Sequence, residues 1–179
     1  MKILLAAAVL AAVTFSATGC GGNGGDEADA TASKAISESL LAEQRTQGSP
    51  ASLFSFDKKD ADCIGDGLVD EVGREKLQEY GVLTEDNKPK GKVTEVKMST
   101  TDAKAATDVL FGCADVEAMV EKAIASSAAV APTMRSCVNK AVNDANLRAT
   151  FTKVFEGEPY AARQNLLQPI TKCATGSGG

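Results

Sequence analysis

Four cysteines constrain this chain more than any other feature of its sequence. They lie in a stretch dominated by helix-forming residues, at Cys63, Cys113, Cys137 and Cys173. An even number of cysteines in an exported protein indicates disulfides, and four cysteines can pair in three ways. A metal site is disfavoured, because the chain contains no CxxC motif and no histidine. If the chain is exported, the sequence therefore predicts two disulfides and no bound metal.

The N-terminal segment 1–19 indicates export. A single lysine, Lys2, precedes a continuous apolar run that ends in small residues, which is typical of a secretory signal rather than a membrane-spanning helix. The end of this segment, Ala17-Thr18-Gly19-Cys20, resembles the bacterial lipobox, although Ala17 stands where leucine is usual. In that motif the cysteine is lipidated and becomes the new N-terminus. Plain secretion, with Cys20 free or removed, is the alternative.

We therefore expect Cys20 to carry acyl chains such as palmitate and to hold the protein on the extracytoplasmic face of the cell membrane, because several chains anchor stably where one does not. Removal of residues 1–19 leaves 160 of the 179 residues. Because Lys2 is lost with them, 18 basic side chains then face 24 acidic ones, a net charge of −6. This acidic balance argues against nucleic acid as a partner. The length fits one domain.

The predicted organisation has four parts. The signal peptide covers residues 1–19, and the lipidated cysteine with a flexible Gly- and Asp/Glu-rich tether covers residues 20–31. A helical domain follows at residues 32–174, and a disordered C-terminus covers residues 175–179.

Helix-start signals and apolar spacing predict an all-α fold, a small bundle of six or seven short helices. The segments lie at about 32–47, from after Asp57 to before Gly81, from 99, at about 115–127, from Pro132, after Asp144, and from about 159 to 173. Pro169 should kink or shorten the last of them. A possible strand, with little support, lies at residues 92–98.

The two halves of the domain resemble each other. Residues 61–81, "ADCIGDGLVDEVGREKLQEYG", match residues 135–155, "RSCVNKAVNDANLRATFTKVF", in a cysteine followed by aliphatic residues one and five positions later. Each half also closes on an apolar helix with a cysteine near its last turn. In an antiparallel arrangement the first helix of each unit begins beside the end of the last. This geometry favours Cys63–Cys113 and Cys137–Cys173, while the nested pairing Cys63–Cys173 with Cys113–Cys137 remains open.

The lipobox, the tether and the motifs "ADCIGDGLVDEVG", "LFGCADV" and "SCVNKAVND" resemble those of uncharacterised cell-envelope lipoproteins of actinobacteria. The resemblance covers most of the chain after residue 19. Its motifs are structural rather than catalytic, so it implies a location and a fold but no activity.

The stretch "DADCIGDGLVDE" at residues 60–71 resembles a calcium-binding loop, because it has alternate aspartates, a central glycine and a closing glutamate. An EF-hand needs oxygen ligands at positions 1, 3, 5 and 12, with glycine at position 6. Counting from Asp60 puts Ile64 at position 5, and counting from Asp62 puts Gly73 at position 12. A helix that starts with acidic residues explains more of the stretch, because carboxylates favour a helix N-terminus.

Catalysis is not expected, because a chain without histidine cannot form a Ser–His–Asp or Cys–His arrangement. Asp66 and Asp70 are four residues apart and could support acid–base chemistry, but such a pair is more often a solvated helix face. The chain has no phosphate-binding GxxxxGK motif, and no cofactor is expected.

Two non-catalytic functions remain. The first is a binding or interaction module, displayed outside the membrane for an envelope protein or wall polymer, and the sequence favours it. The alternative is a carrier of a lipid or another apolar small-molecule ligand within a helical cavity. The uncharged run 123–132 could line such a cavity, or could be an ordinary buried helix end. A long apolar pocket would favour the carrier, and a filled core with an exposed patch would favour the module.

If the cysteines are structural, a reducing agent should lower the melting temperature substantially, because each bridge contributes up to about 4 kcal/mol by loop-closure entropy. Thermal unfolding followed by circular dichroism, with and without reductant, measures this. An unchanged melting temperature would contradict a structural role for the bridges.

Overall fold

The computed structural model describes residues 27–45, 55–91, 96–127 and 130–174. The predicted signal peptide, Cys20, the tether up to residue 26 and the C-terminal residues 175–179 lie outside these ranges. The helices are α1 (Glu27–Glu43), α2 (Lys58–Glu71), α3 (Arg74–Glu79), α4 (Thr100–Cys113), α5 (Val116–Ser126), α6 (Arg135–Ala141), α7 (Asp144–Phe155) and α8 (Pro159–Ala174). A 3-10 turn, Pro132–Met134, leads into α6. The predicted all-α fold is confirmed.

Capping residues place the starts of the helices where the sequence predicts them. Asp57 forms a capping box with Asp60 at the start of α2, because each side chain accepts a hydrogen bond from the backbone of the other. Ser99 caps α4 through the backbone N–H of Asp102, and Asn143 caps α7. Each cap satisfies a backbone donor that the helix itself leaves without a partner.

Three boundaries differ from the prediction. Helix α1 begins at Glu27, so residues 27–31 of the predicted tether are helical, with Glu27 and Asp29 placed favourably in its first turn. The single helix predicted between Asp57 and Gly81 is two helices, because Gly73 adopts a φ of 94° between α2 and α3. Helix α1 also ends at Glu43, earlier than the predicted end near 47. Helix α8 ends at Ala174, as its predicted bounds required, so Pro169 does not shorten it.

The possible strand at 92–98 is not a strand where the structure describes it, over residues 96–98. Val96 and Met98 are buried and Lys97 is exposed, which gives the alternation that suggested a strand. The segment lies against the end of α7, where the Met98 N–H donates to the carbonyl oxygen of Phe155 at 2.8 Å. Elsewhere in the described ranges, strand-like pairing is limited to one isolated bridge between Leu83 and Pro89.

Helices α1, α2 and α4 run antiparallel to their neighbours. Asp29, in the first turn of α1, lies 3.4 Å from Arg74, just past the end of α2. The Cys63–Cys113 disulfide joins the first half of α2 to the last residue of α4. The start of α1 therefore lies beside the end of α2, and the start of α2 lies beside the end of α4.

Helices α4, α7 and α8 continue the same alternation. The residue before the cap of α4, Met98, bonds to Phe155 at the end of α7. Near the other end of this pair, Arg148 of α7 lies 2.8 Å from Asp108 of α4. A tight turn at Gly157, with a φ of 72°, then reverses the chain into α8, which packs on α7.

This alternation gives the domain two ends. We call the end that holds the starts of α1, α4 and α8 and the ends of α2 and α7 the basal end. The opposite end, with the ends of α1, α4 and α8 and the starts of α2 and α7, is the apical end. Helix α5 begins at the apical end, just after α4 ends. Helix α6 ends at the apical end, just before α7 begins.

Both disulfides lie at the apical end, in the pairing that the internal repeat favoured. Cys63 bonds to Cys113 with their Cα atoms 5.5 Å apart, and Cys137 bonds to Cys173 with a Cα separation of 5.7 Å. Each bridge joins the first and last helix of a three-helix unit, α2–α3–α4 or α6–α7–α8. The repeat seen in the sequence therefore corresponds to two covalently closed helical units.

One hydrophobic core runs through both units. Its residues come from every described helix and from the loop after α3, with Ala162 as the buried core residue of α8. The largest fully buried side chains are Ile36, Leu68, Leu77, Leu83, Val116, Val138 and Thr107. The fourth residue of the second helix is a buried leucine in both units, Leu77 in α3 and Leu147 in α7. The two units therefore anchor their middle helices in the same way.

Two glycines let α2 approach both of its neighbours. A Cβ atom on Gly65 would clash with the carbonyl oxygen of Ser33 in α1, and a Cβ atom on Gly67 would lie 2.7 Å from Val109 Cγ1 in α4. These residues lower the helix propensity of α2, but they allow its backbone to pack closely on two sides.

Replacing Gly65 by alanine should therefore lower the free energy of unfolding by about 1–3 kcal/mol, because the new methyl group meets a fixed backbone atom. The matched control is Gly112→Ala in α4, where a Cβ atom would meet nothing within 4 Å. There the better helix propensity should raise stability by about 0.5–1 kcal/mol. Denaturant unfolding of both variants measures the difference, and equal effects at the two positions would contradict the close α1–α2 packing.

Candidate functional site

The calcium-loop hypothesis for residues 60–71 is wrong. The stretch is helical throughout, as part of α2, and Asp60 serves its capping box. The carboxylate of Asp62 accepts hydrogen bonds from Lys58 and from Ser37 of α1, and these two bonds lower the pKa of Asp62 from its ordinary value of 3.8. The acidic residues of this stretch therefore start the helix and join it to α1.

Asp66 and Asp70, which could have formed an acid–base pair, are exposed to solvent on α2. The structure gives them the solvated-face role that the sequence analysis preferred. In the ranges that the structure describes, no group of three or more metal-ligating side chains is positioned to hold an ion.

The most elaborate polar cluster surrounds Asp102 at the basal end. One carboxylate oxygen accepts a hydrogen bond from Lys76 Nζ at 2.8 Å, and the other accepts from the Tyr80 hydroxyl at 2.6 Å and from the Ser99 hydroxyl at 2.8 Å. Asp102 is only 5% exposed. The bonds from Lys76, Tyr80 and Ser99 outweigh burial and lower the pKa of Asp102 from its ordinary value of 3.8.

This cluster joins neighbouring helices at the basal end. It ties α3 and the residue after it to the first turn of α4, and Ser99 in turn caps that helix. The bonding also raises the pKa of Lys76, chiefly because Asp102 accepts from its ammonium group. The carboxylate is held ionised by three donors, so it is poorly suited to exchange a proton near neutral pH.

A second ion pair fastens the end of α7. Lys153 Nζ lies 2.6 Å from Glu156 and 3.0 Å from Glu158, and Glu156 is almost fully buried. The bond from Lys153, and then one from Thr100 of α4, lower the pKa of Glu156. Both basal clusters therefore hold helix ends together.

An apolar pocket lies at the apical end, between α5, α7 and α8. Its volume is about 340 Å³ and it is partly open to solvent. The residues around it are mostly aliphatic or aromatic, and none of those that the structure describes is charged: Val120, Ala123, Ile124, Ser127, Val130, Leu147, Thr150, Phe151 and Leu166. The hydroxyl of Thr150 already donates to the Asn146 carbonyl at 2.7 Å.

Helix α5 forms one wall of this pocket and is itself loosely held. Of its residues, only Val116 at the start is buried. Val120 and Ile124 are partly buried and face the pocket. The opposite wall is rigid by comparison, since Leu147 is buried and Phe151 packs edge-on against Phe111 with ring centres 5.8 Å apart.

The exposed hydrophobic side chains in the described part of the chain are a weaker candidate binding surface than the pocket. Tyr160 and Leu167 of α8 are 75% and 44% exposed and lie seven residues apart, on one face of the helix. Two separate side chains do not make a continuous apolar patch, and isolated exposed residues of this kind are common on monomeric proteins.

The sequence suggested one wall of the pocket, as one of two alternatives, but not the other. The uncharged run 123–132 does line a cavity, through Ala123, Ile124, Ser127 and Val130. The other wall comes from α7 and α8, more than fifteen residues away, and no local pattern marks Leu147, Phe151 or Leu166 as its partners. Within the described ranges, every helix is too short or too polar to cross a membrane.

Comparisons of the chain with protein-family models, with curated proteins and with solved structures found no match.

The Asp102 cluster generates a pH prediction. Because the folded-state pKa of Asp102 is lowered, its contribution to stability is present above the ordinary value of 3.8 and is lost as the pH falls through the folded-state value. Asp102→Asn should therefore be less stable than the wild type at pH 7, and the difference should shrink below about pH 4. Chemical unfolding between pH 2.5 and 7 measures it.

The control variant is Asp66→Asn, which removes an exposed carboxylate of the same kind and should leave the acid limb of the stability curve unchanged. A constant difference between Asp102→Asn and wild type across the whole pH range would contradict the role assigned to this carboxylate.

Proposed function

We propose that this protein is a non-catalytic binding protein of the cell envelope, tethered outside the membrane by a lipidated Cys20, whose ligand is apolar and occupies the pocket between α5, α7 and α8. Of the two functions expected from the sequence, the pocket favours the carrier over a module that docks through a surface patch. The observation that carries this proposal is an apolar space of about 340 Å³ with no charge among its described walls.

The size and lining of the pocket support a small ligand or one hydrocarbon chain. Ligand sites usually have volumes of about 300–1,000 Å³, so this pocket is at the small end. Burying apolar surface is worth roughly 25 cal/mol per Å², and the partly exposed side chains of α5 have such surface left to bury. A charged group would lose its hydration inside the pocket without gaining an oppositely charged partner from the described lining.

The position of the tether supports the same proposal. Cys20 lies seven residues before Glu27, where α1 begins at the basal end. Seven residues span at most about 25 Å, so a lipid on Cys20 would keep the basal end near the membrane. The pocket, at the apical end, would then face away from that membrane. Two disulfides in the same domain fit an oxidising, extracytoplasmic compartment.

The chemistry of the described residues agrees with a non-catalytic role. Asp102 and Glu156 are committed to ion pairs that hold helices, and the pocket walls contain hydroxyl groups but no acid or base. Binding, rather than reaction, is what such walls can do.

Filling the pocket should abolish binding. A native mass spectrum of the non-reduced protein, purified gently from the envelope of its host, should show one noncovalent added mass of lipid size per chain, beyond the acyl chains on Cys20 that remain under denaturing conditions. Ile124→Trp places a large side chain in the pocket and should remove that added mass. Ala125→Trp, on the exposed face of the same helix, is the control and should retain it. An unliganded wild type, or equal ligand loss in both variants, would contradict the carrier proposal.

Replacing Cys20 tests the anchor. Cys20→Ser should lose incorporation of radiolabelled palmitate completely, because the acyl chains need the thiol. Cys63→Ser removes another cysteine, one that the structure commits to a disulfide, and should keep the label. Label that persists in Cys20→Ser would show that the lipid, if any, is attached elsewhere.

A further inference from the structure

A second cleft lies against the other side of α5. It has a volume of about 570 Å³, and its lining includes Ser55, Asp60, Asp115, Lys122 and Ser126. Whereas the apolar pocket has no charged described wall, this cleft carries two carboxylates, one ammonium group and two hydroxyls beside the apolar Ala118, Met119 and Ala123. We call it the polar cleft.

The polar cleft and the apolar pocket adjoin at the C-terminal half of α5. Ala123 lines both of them. At the end of the helix, Ser126 lines the polar cleft, and the next residue, Ser127, lines the apolar pocket. A ligand that passes around this end of α5 therefore meets an apolar space on one side and a polar, solvent-facing space on the other.

Hydrogen-bond acceptors outnumber donors in the polar cleft. Asp115 accepts from the Ala118 N–H at 3.0 Å and Asp60 accepts from the Asp57 N–H at 3.3 Å, but an ionised carboxylate can accept about four hydrogen bonds. The C-terminal end of α5 adds a partial negative charge, with no basic residue in its last turn, while the N-terminal ends of α2 and α5 add partial positive charge beside Asp60 and Asp115. Lys122 supplies one positive charge against two negative ones.

We propose that the two clefts form one site for a single-chain amphiphile, with its hydrocarbon chain in the apolar pocket and its headgroup in the polar cleft. The headgroup donates hydrogen bonds, as a sugar or an amine does, and carries no net negative charge. This inference rests on the proposed function, since it needs the apolar pocket to hold the chain, and it adds the chemical class of the ligand.

The test keeps the hydrocarbon chain constant and varies the headgroup. Dodecyl maltoside, dodecylammonium and dodecyl sulfate are titrated calorimetrically, below their micelle concentrations, into the full chain carrying Cys20→Ser. The uncharged and cationic amphiphiles should bind roughly tenfold or more tightly than the sulfate, because two carboxylates repel the anionic headgroup. Ile124→Trp should abolish binding of all three, which separates site binding from general attraction to an acidic protein.

A pair of double variants tests whether the discrimination is local. Asp60→Asn with Asp115→Asn removes both carboxylate charges, and asparagine can keep the capping bonds at these positions. This variant should bind the sulfate almost as well as the maltoside. Asp66→Asn with Asp70→Asn makes the same change in net charge on the exposed face of α2 and should leave the discrimination intact.

The outcomes separate the two proposals. If all three amphiphiles bind equally, or the sulfate binds best, the headgroup inference is overturned while the apolar site stands. The same holds if both double variants change the discrimination alike, because the effect is then one of net charge. If no amphiphile binds, the apolar site itself is overturned, and the headgroup inference falls with it.

Discussion

Two disulfides at one end of an antiparallel helical array determine how the rest of this domain is organised. Each bridge closes a unit of three helices by joining its first helix to the end of its third. With the apical end fixed covalently, the basal end is held by buried side chains such as Met98 and Phe155 and by the polar clusters around Asp102 and Glu156. Gly65 of α2 allows the first unit to pack closely on α1.

The same arrangement explains why the pocket lies where it does. Helix α5 links the two units and belongs to neither. Neither disulfide therefore fixes it against the core. Only its first residue, Val116, is buried, and it follows Cys113 by three positions in the chain. The rest of the helix leaves an apolar space on one side and a polar space on the other, and both spaces are walled by more tightly held elements. Low local contact is typical of elements that adapt to a ligand.

Much of the fold could be predicted because its signals are local. The capping residues Asp57 and Ser99 gave the starts of α2 and α4, and the repeated cysteine pattern favoured the observed pairing. One misjudged boundary shows where local signals fail. The break at Gly73 depends on a positive φ that the sequence permits but does not require. The predicted end of α8 near residue 173 agrees with the structure, where the helix reaches Ala174 although Pro169 lies inside it.

The candidate site was harder to predict, because its walls meet only in the folded chain. The run 123–132 carries no charge, but no local pattern connects it with Phe151 and Leu166, which line the pocket from α7 and α8.

The most direct test of the central claim is an NMR measurement of contacts between bound dodecyl maltoside and the methyl groups of the protein. The account predicts nuclear Overhauser effects from the dodecyl chain to Val120, Ile124 and Leu147, and from the sugar to Ala118. Contacts to the α8 face around Leu167 instead, with none to Ile124 or Leu147, would contradict it.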